Sequence, residues 1–332
     1  MDLISVVMCV YNTPCEFLEN AINSIVKQTY KNFEFIIVND ASTDIDTLNL
    51  LEKIKDSRIT LINNKVNLGL TKSLNIGFNV CNGRYIARID SDDISALDRL
   101  EKQLIYMKEK GFSVIGSYYS YLPYKSYSCF ITENFEKQKI RMIFGNNGIV
   151  HSSAFIDRKV LKDKLIKYNE NYLKSQDYGL WCEYISKGES IGICPEKLVF
   201  WRTSENQISV KNKSEQEKYS NLIRKDYINK MFSIDNKDLE YFVNNVNSFI
   251  YKNDTIEKEQ VFRVLIRFID QNKQKNPLLK KEIVRFWFLQ SILRIKELHK
   301  FDFIFSKLMF WALYPQNMFY IIHSFIFERK KF

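Results

Sequence analysis

Ile89-Asp90-Ser91-Asp92-Asp93, directly after Arg84-Tyr85-Ile86-Ala87-Arg88, is the stretch on which the reading turns. An apolar-rich run ends here in three carboxylates within four positions. Like charges so close repel, and burying them without a partner is costly. Such a cluster persists when something positive sits on it, and a divalent cation carrying phosphate oxygens is the usual answer. The alternative is a solvated turn that opens the next helix, since Ser and Asp both cap well.

Upstream, strands and helices alternate. Ile4–Val10 is a β-branched run and predicts a buried strand, broken at Tyr11-Asn12-Thr13-Pro14. Phe17, Ala21, Ile22, Ile25 and Val26 recur at helical spacing, giving a helix to about Gln28. A strand over Phe33–Val38 follows, then the loop Asn39–Asp44, a helix marked by Leu48, Leu51 and Ile54, and a strand over Ile59–Ile62. Leu70, Leu74 and Phe78 lie on a third helix that stops near Asn82-Gly83. Tyr85–Ile89 is a fourth strand, and Ser95 is the expected cap of a helix over Leu97–Lys110. This rhythm implies an α/β fold, a parallel sheet with helices on both faces, in which ligands bind beyond the carboxyl ends of the strands. The loops at those ends hold Tyr11-Asn12, Asp40–Asp44 and Asp90–Asp93, so one sheet edge gathers an aromatic ring and several carboxylates.

The chain has 332 residues, 45% of them apolar, and a net charge of +10. That is enough for one large domain or two ordinary ones. Residues 1–110 are close to neutral, and the basic excess lies beyond them, where an anionic membrane surface or a pyrophosphate-bearing substrate would suit it. The basic residues are spread along helices without a reader motif, which argues against nucleic acid. Six cysteines form no C-x-x-C pair and sit largely in apolar runs, pointing to a reducing compartment and no zinc site. The start Met1-Asp2-Leu3-Ile4-Ser5 lacks a signal peptide's basic region, and no run of eighteen apolar residues predicts a membrane span. A cytoplasmic protein is expected.

Ser5 to Asn12, Gln28 to Asp44, Asn67-Leu68-Gly69 and Ile89 to Asp93 together resemble the family-2 glycosyltransferases of the GT-A fold. The likeness runs in order from about residue 3 to 110 and resumes at Ser175 to Trp181 and at Trp201-Arg202. It covers about two-thirds of the chain. The resemblance implies a nucleotide-sugar donor, most often a uridine diphosphate sugar, with Mn²⁺ or Mg²⁺. It places Asp40 where a carboxylate meets the base and Tyr11 where a ring packs on it. Val10, Asn12, Asn67 and Lys72 fall on the same nucleotide-sugar side. Asp90 and Ser91 match the ribose end of a D-x-D motif, and Asp92 matches its metal ligand, with Asp93 a second contributor. Asp177 falls at the catalytic base, and Trp181 and Gln176 at the acceptor side. Two departures stand out. Trp201-Arg202-Thr203-Ser204 has Ser where relatives often carry a His that adds a metal ligand. Gln176 precedes the base where Glu is common.

Each residue also has a plainer role. Asp40 and Asp44 could cap the helix after them, and Asp44 is the expected cap. Tyr11 could be a core ring. Asp177 could be the acid of its own helix's first turn, and Trp181, four residues on, could be core packing. His151, in Gly148-Ile149-Val150-His151-Ser152-Ser153, is either an acceptor-side residue or structural. Arg202 could meet a diphosphate or pair with a carboxylate. Lys72 and Arg88, read as basic residues, suggest solvated faces or ion pairs.

If the resemblance holds, residues 1–212 are a catalytic domain, with a nucleotide-sugar half (1–110) and an acceptor half (111–212). Residues 213–332 are then a helical region. Its stripes Phe262, Leu265, Ile266, Ile269 and Val284, Trp287, Phe288, Ser291, Ile292, with the aromatic segment 301–327, suit packing on the catalytic domain, on a second copy in a homo-oligomer, or on the cytoplasmic face of the inner membrane. The expected activity is inverting sugar transfer to a glycan or lipid-linked acceptor in O-antigen, capsule or related synthesis. The alternatives are a nucleotidyltransferase, which would want a Gly-rich phosphate loop after the first strand, and an inactive assembly scaffold.

Overall fold

The apolar runs become strands where the spacing predicts them. The computed structural model describes residues 1–122, 125–127, 133–145, 149–202, 213–251 and 255–285. The first half reads β1 (Ile4–Val10), α1 (Cys15–Val26), β2 (Phe33–Asn39), α2 (Ile45–Lys53), β3 (Ile59–Asn63), α3 (Leu70–Val80) and β4 (Tyr85–Arg88). Then come β5 (Ile94–Ser95), α4 (Arg99–Lys110), β6 (Val114–Leu122), β7 (Lys125–Tyr127) and α5 (Phe135–Met142). A 3₁₀ turn at His151–Ser153 leads into β8 (Phe155–Asp157), α6 (Arg158–Asp163), α7 (Gln176–Ser186) and β9 (Ile191–Arg202). Three helices follow: α8 (Lys213–Met231), α9 (Asn236–Tyr251) and α10 (Thr255–Asn272).

The described strands form one sheet in the order β3-β2-β1-β4-β8-β6-β9-β5, with β7 on β6. The first four are parallel, and β8 and β5 pair antiparallel with their neighbours, so the sheet is mixed though its first half is parallel as expected. Both faces are covered, as continuous apolar strands require. Val6, Met8, Phe35 and Ile37 cluster with Leu18, Ile22 and Ile25 of α1. On the other face α3 lies so close that a Cβ on Gly77 would come 2.7 Å from Val7 Cγ1 and 3.3 Å from Val38 Cγ2. Parallel strands with flush register bring the ends of β1, β2 and β4 to one edge.

Two expectations are corrected. Ser95 does not cap α4. It pairs with Val199 in a short strand, its amide donates to Ser24 Oγ and its hydroxyl accepts from Gln28, so Asp98 takes the cap position. In α10 the buried stripe is Val261, Val264, Leu265 and Phe268, and Ile266 faces outward, because the helical repeat runs from Val261. Asp44 caps α2 as expected, accepting from the Thr47 amide at 2.8 Å, worth about 1 kcal/mol.

Met1–Pro277 is one compact unit and Leu278–Phe332 a second. The boundary expected after residue 212 falls inside the first. The stripe from Trp287 to Ile292 and the segment 301–327, on which the membrane reading rested, lie outside the described residues. Among those described, no helix is long and apolar enough to cross a membrane.

Candidate active site

Strain marks the edge where the loops converge. Four described non-glycine residues have positive φ, and three of them flank the expected site: Asn12 after β1, Ala41 after β2 and Ser175 before α7. L-residues there cost about 1–2 kcal/mol, and such cost is retained where surrounding contacts over-determine the backbone. Those contacts are visible. Asn12 Oδ1 accepts the Thr43 and Asp44 amides at 2.7 and 3.0 Å, its own amide donates to Ser42 Oγ, and Thr13 Oγ1 meets Ser91 Oγ at 2.6 Å. Asn12 and Ser91 therefore stitch the three loops together. Val10 is buried at the strand end, while Tyr11 is 52% exposed and so is no core ring.

Asp40 is 3% exposed and heavily engaged. Its Oδ1 accepts Asn64 Nδ2 and the Leu68 amide, and Oδ2 accepts the Gly69 amide, each at 2.8 Å. It shapes the loop containing Asn67, which is exposed, and the start of α3, where Lys72 is exposed. A carboxylate oxygen has two acceptor directions, so Oδ2 keeps one.

The Asp90–Asp93 loop is built differently. One oxygen from each of Asp90, Asp92 and Asp93 lies within 4.8 Å of the others. The Arg88 guanidinium, 2% exposed, pairs with both oxygens of Asp90. Of the two readings of Arg88, the ion pair holds and the solvated face does not. Ser152 Oγ bonds Asp90 Oδ2 at 2.6 Å and also Asp93 Oδ2, and Asp93 Oδ1 accepts the Arg202 amide at 3.1 Å. Among the described residues, no other residue donates to the Asp92 carboxylate. Burial and then the neighbouring Asp90 push Asp92 up to about 6, and the same two causes, with Asp92 added, lift Asp93 well above the usual carboxylate range. A cluster of hard carboxylate oxygens in which Asp92 is left unengaged fits Mg²⁺ or Mn²⁺. Arg202 lies beside them, its Nε 3.2 Å from the Asp92 carbonyl and its guanidinium 4.0 Å over the Phe17 ring.

Asp177 sits in the first turn of α7, with Gln176 the first helical residue. Burial raises its carboxyl above the ordinary value, while the Tyr178 amide and Arg88 pull the other way and Asp90 adds to the rise. Asp177 therefore lies within electrostatic reach of the Arg88–Asp90 pair. A line of contacts joins the two sides. Ser152 touches Asp90 and Asp93, while its neighbour His151 bonds Tyr168 Oη through Nε2 at 2.7 Å. The His151 ring lies 6.3 Å from that of Trp181, on α7. Burial, then Arg88, keeps His151 neutral well below its ordinary value.

Of the two readings of Trp181, the burial favours core packing. Its indole is 0% exposed and packs between His151 and Tyr184, so it is a core ring and does not face an acceptor. The helix begins at the site and runs inward, and one turn suffices to take position 181 under cover.

Sequence reasoning missed Ser152, Tyr168 and Arg99. Ser152 is in the same short string as His151, but a lone serine carries no charge signal. Arg99 is fully buried behind the acidic loop, bonded to the Arg88 and Ala154 carbonyls, and burial, with Arg88, lowers it to about 9. An arginine opening an amphipathic helix gives no hint of that.

Residues 5–164 match the model of glycosyl transferase family 2. An uncharacterized glycosyltransferase of Haemophilus influenzae is 35% identical over 69% of this chain and 75% of its own. An uncharacterized glycosyltransferase of Methanocaldococcus jannaschii, MJ1057, is 32% identical over 74% and 83%. Escherichia coli WfaP, named as a UDP-Glc:alpha-D-GlcNAc-diphosphoundecaprenol beta-1,3-glucosyltransferase, is 30% identical over 68% and 86%. Among solved structures, S. aureus TarS 1-349 in complex with UDP-GlcNAc superposes with a TM-score of 0.59 over 88% of each chain at 18% identity, a likeness of fold.

Proposed function

The chain belongs to glycosyl transferase family 2, and from that premise we propose an inverting transferase that moves a sugar from a uridine diphosphate donor to a hydroxyl of a lipid-linked glycan, in surface-polysaccharide synthesis at the cytoplasmic face of the inner membrane. Family membership sets aside the nucleotidyltransferase and scaffold alternatives, and the Tyr11–Pro14 loop is not the Gly-rich loop the former needs. The lipid-linked acceptor and pathway follow WfaP and a second E. coli relative, WfgD, 29% identical, whose names carry the same glucosyl donor and diphosphoundecaprenol acceptor.

The observation that carries the reading is the carboxylate of Asp92, unclaimed by any other described residue, in a cluster within electrostatic reach of Asp177. Tyr11 stacks on the base, and the spare acceptor direction of Asp40 Oδ2 reads its edge. Asp90 and Ser91 take the ribose end, with Val10, Asn12, Asn67 and Lys72 shaping the same side. Asp92 holds a divalent ion, Asp93 and Asp90 support it, and Arg202 adds positive charge toward the diphosphate. When bound, Mn²⁺ or Mg²⁺ offsets the charge that develops on the departing diphosphate. Asp177 accepts the proton of the attacking hydroxyl, and its raised affinity for protons improves it as a base. One base and one direct displacement invert the anomeric centre. Gln176 and His151 border the acceptor side. Residues 1–212 carry these roles, and α8 to α10 support them.

The test is a donor screen with Mn²⁺, scoring transfer or hydrolysis of several nucleotide sugars, with and without chelator. Metal-dependent turnover of a uridine diphosphate sugar is expected, reduced about 10²–10⁴-fold by Asp177→Asn with nucleotide binding retained. No turnover and no metal-dependent nucleotide binding with any donor would overturn the reading.

A further inference from the structure

The turn His151–Ser153 comes from the acceptor half yet touches the acidic loop of the donor half. Its backbone is locked from behind. Gln103 Nε2 donates to the Ser153 carbonyl at 2.8 Å, Arg99 donates to the Ala154 carbonyl, and the Ser117 amide donates to Ser153 Oγ at 3.1 Å. Ser152 itself is fully buried. Its hydroxyl lies 3.2 Å from Arg88 Nη1 and 3.3 Å from the Asp90 amide, both donors, and 2.6 Å from Asp90 Oδ2, with Asp93 Oδ2 also in reach.

We propose that Ser152 is a positioning residue for the cation site: it pins Asp90 and Asp93, so that Asp92 alone is left to meet the ion. The inference rests on the metal-dependent reading above. A hydroxyl has one proton and two acceptor directions, and all three are accounted for here. It accepts from Arg88 Nη1 and the Asp90 amide and shares its one proton between Asp90 Oδ2 and Asp93 Oδ2 in a three-centre bond. Arg88 occupies both oxygens of Asp90, which takes that side chain out of competition for a cation. Asp93 is drawn the same way, between Ser152 and the Arg202 amide. Partners of this kind set ligand orientation, and losing one costs about 10–100-fold in metal affinity. Because the turn also presents His151 to Tyr168, and lies against Trp181 of the helix bearing Asp177, the same short segment sets the cation site relative to the base.

Ser152→Ala and Ser153→Ala separate this role from a structural one. Both remove a buried hydroxyl from the same turn, but among the described residues Ser153 Oγ bonds only the Val150 carbonyl and the Ser117 amide. Free Mn²⁺ is followed by electron paramagnetic resonance during titration of the full chain with UDP present and no sugar donor. Ser152→Ala is expected to weaken Mn²⁺ binding about 10-fold or more, and Ser153→Ala by less than about twofold, though both lower the melting temperature. Should Ser152→Ala not fold, Ser152→Cys, close in shape but a weak hydrogen bonder, is measured in the same way against the same expectation. Equal Mn²⁺ affinity in the Ser152 variant and the wild type, or equal losses in the Ser152 and Ser153 variants, overturns the inference and leaves the transferase reading standing. A wild-type chain that binds no Mn²⁺ with UDP overturns both.

Discussion

Two acidic loops end neighbouring parts of one sheet, and the protein treats them in opposite ways. The loop after β2 is self-contained: Asp40 spends its carboxylate on the Leu68 and Gly69 amides and on Asn64, none more than 29 residues away in sequence. The loop after β4 draws on its own strand and on groups far along the chain. Arg88, Ser152 and the Arg202 amide engage Asp90 and Asp93, and Asp92 is left over. Neutral amide donors satisfy a carboxylate without cancelling its charge. Three carboxylates within 4.8 Å cannot be handled that way, so the second loop is assembled yet electrostatically incomplete. The first loop shapes a surface, and the second leaves the Asp92 carboxylate for the cation proposed above.

That contrast breaks most sharply at Asp92. Asp92→Asn should cut transfer by about 1,000-fold or more and abolish Mn²⁺ binding, while urea unfolding of the metal-free chain stays as stable or becomes more so. A clear loss of stability would show that Asp92 has a structural partner after all. Asp40→Asn should do the reverse in kind. It replaces a two-sided acceptor by a group whose NH₂ faces amide donors, and should cost about 1–3 kcal/mol in the unfolding midpoint, with Mn²⁺ binding largely kept.

The pH dependence sharpens the same point. Asp92 in the metal-free protein is raised to about 6, above an unfolded value of about 3.9. Below about pH 4 both states are protonated and nothing is lost. As pH rises toward 6 the unfolded chain gives up its proton and the folded chain does not, so folding stability falls, levelling above 6. A cation needs the ionised carboxylate, so Mn²⁺ affinity should climb through the same window and then flatten. Calorimetric titration between pH 5 and 7.5 checks it, and a flat profile would place Asp92 in an ordinary environment. The smallest effect lies away from both loops. Leu165, 82% exposed at φ 54°, holds a left-handed position just after α6. Leu165→Gly should raise stability by about 1 kcal/mol without touching activity, which would confirm that strain near Asn12, Ala41 and Ser175 belongs to the site and that at Leu165 does not.

Much of this was legible in the chain. Strands β1 to β4 fell where β-branched runs predicted, because a strand buried on both faces needs uninterrupted apolar residues. The misplacements have causes. Ser95 looked like a cap, but tertiary pairing with Val199 outbid that local preference. Trp181 shares a helix face with Asp177, and spacing alone does not say how steeply the helix dives inward. Arg88 and Arg99 look like surface charges, and only tertiary packing buries both, Arg88 against Asp90 and Arg99 against the Arg88 and Ala154 carbonyls. Ser152 carried no signal because a hydroxyl's importance depends on what it reaches.

The order of residues by itself placed carboxylates at the ends of parallel strands, since alternating strand and helix bring those ends to one edge whatever the side chains do. Which carboxylate is neutralised, which is left bare, and which serine holds them was decided by folding alone. Those outcomes depend on the buried Arg88–Asp90 pair and on Ser152 meeting Asp90 and Asp93 from 62 and 59 residues away in sequence, in a medium too dry to screen them.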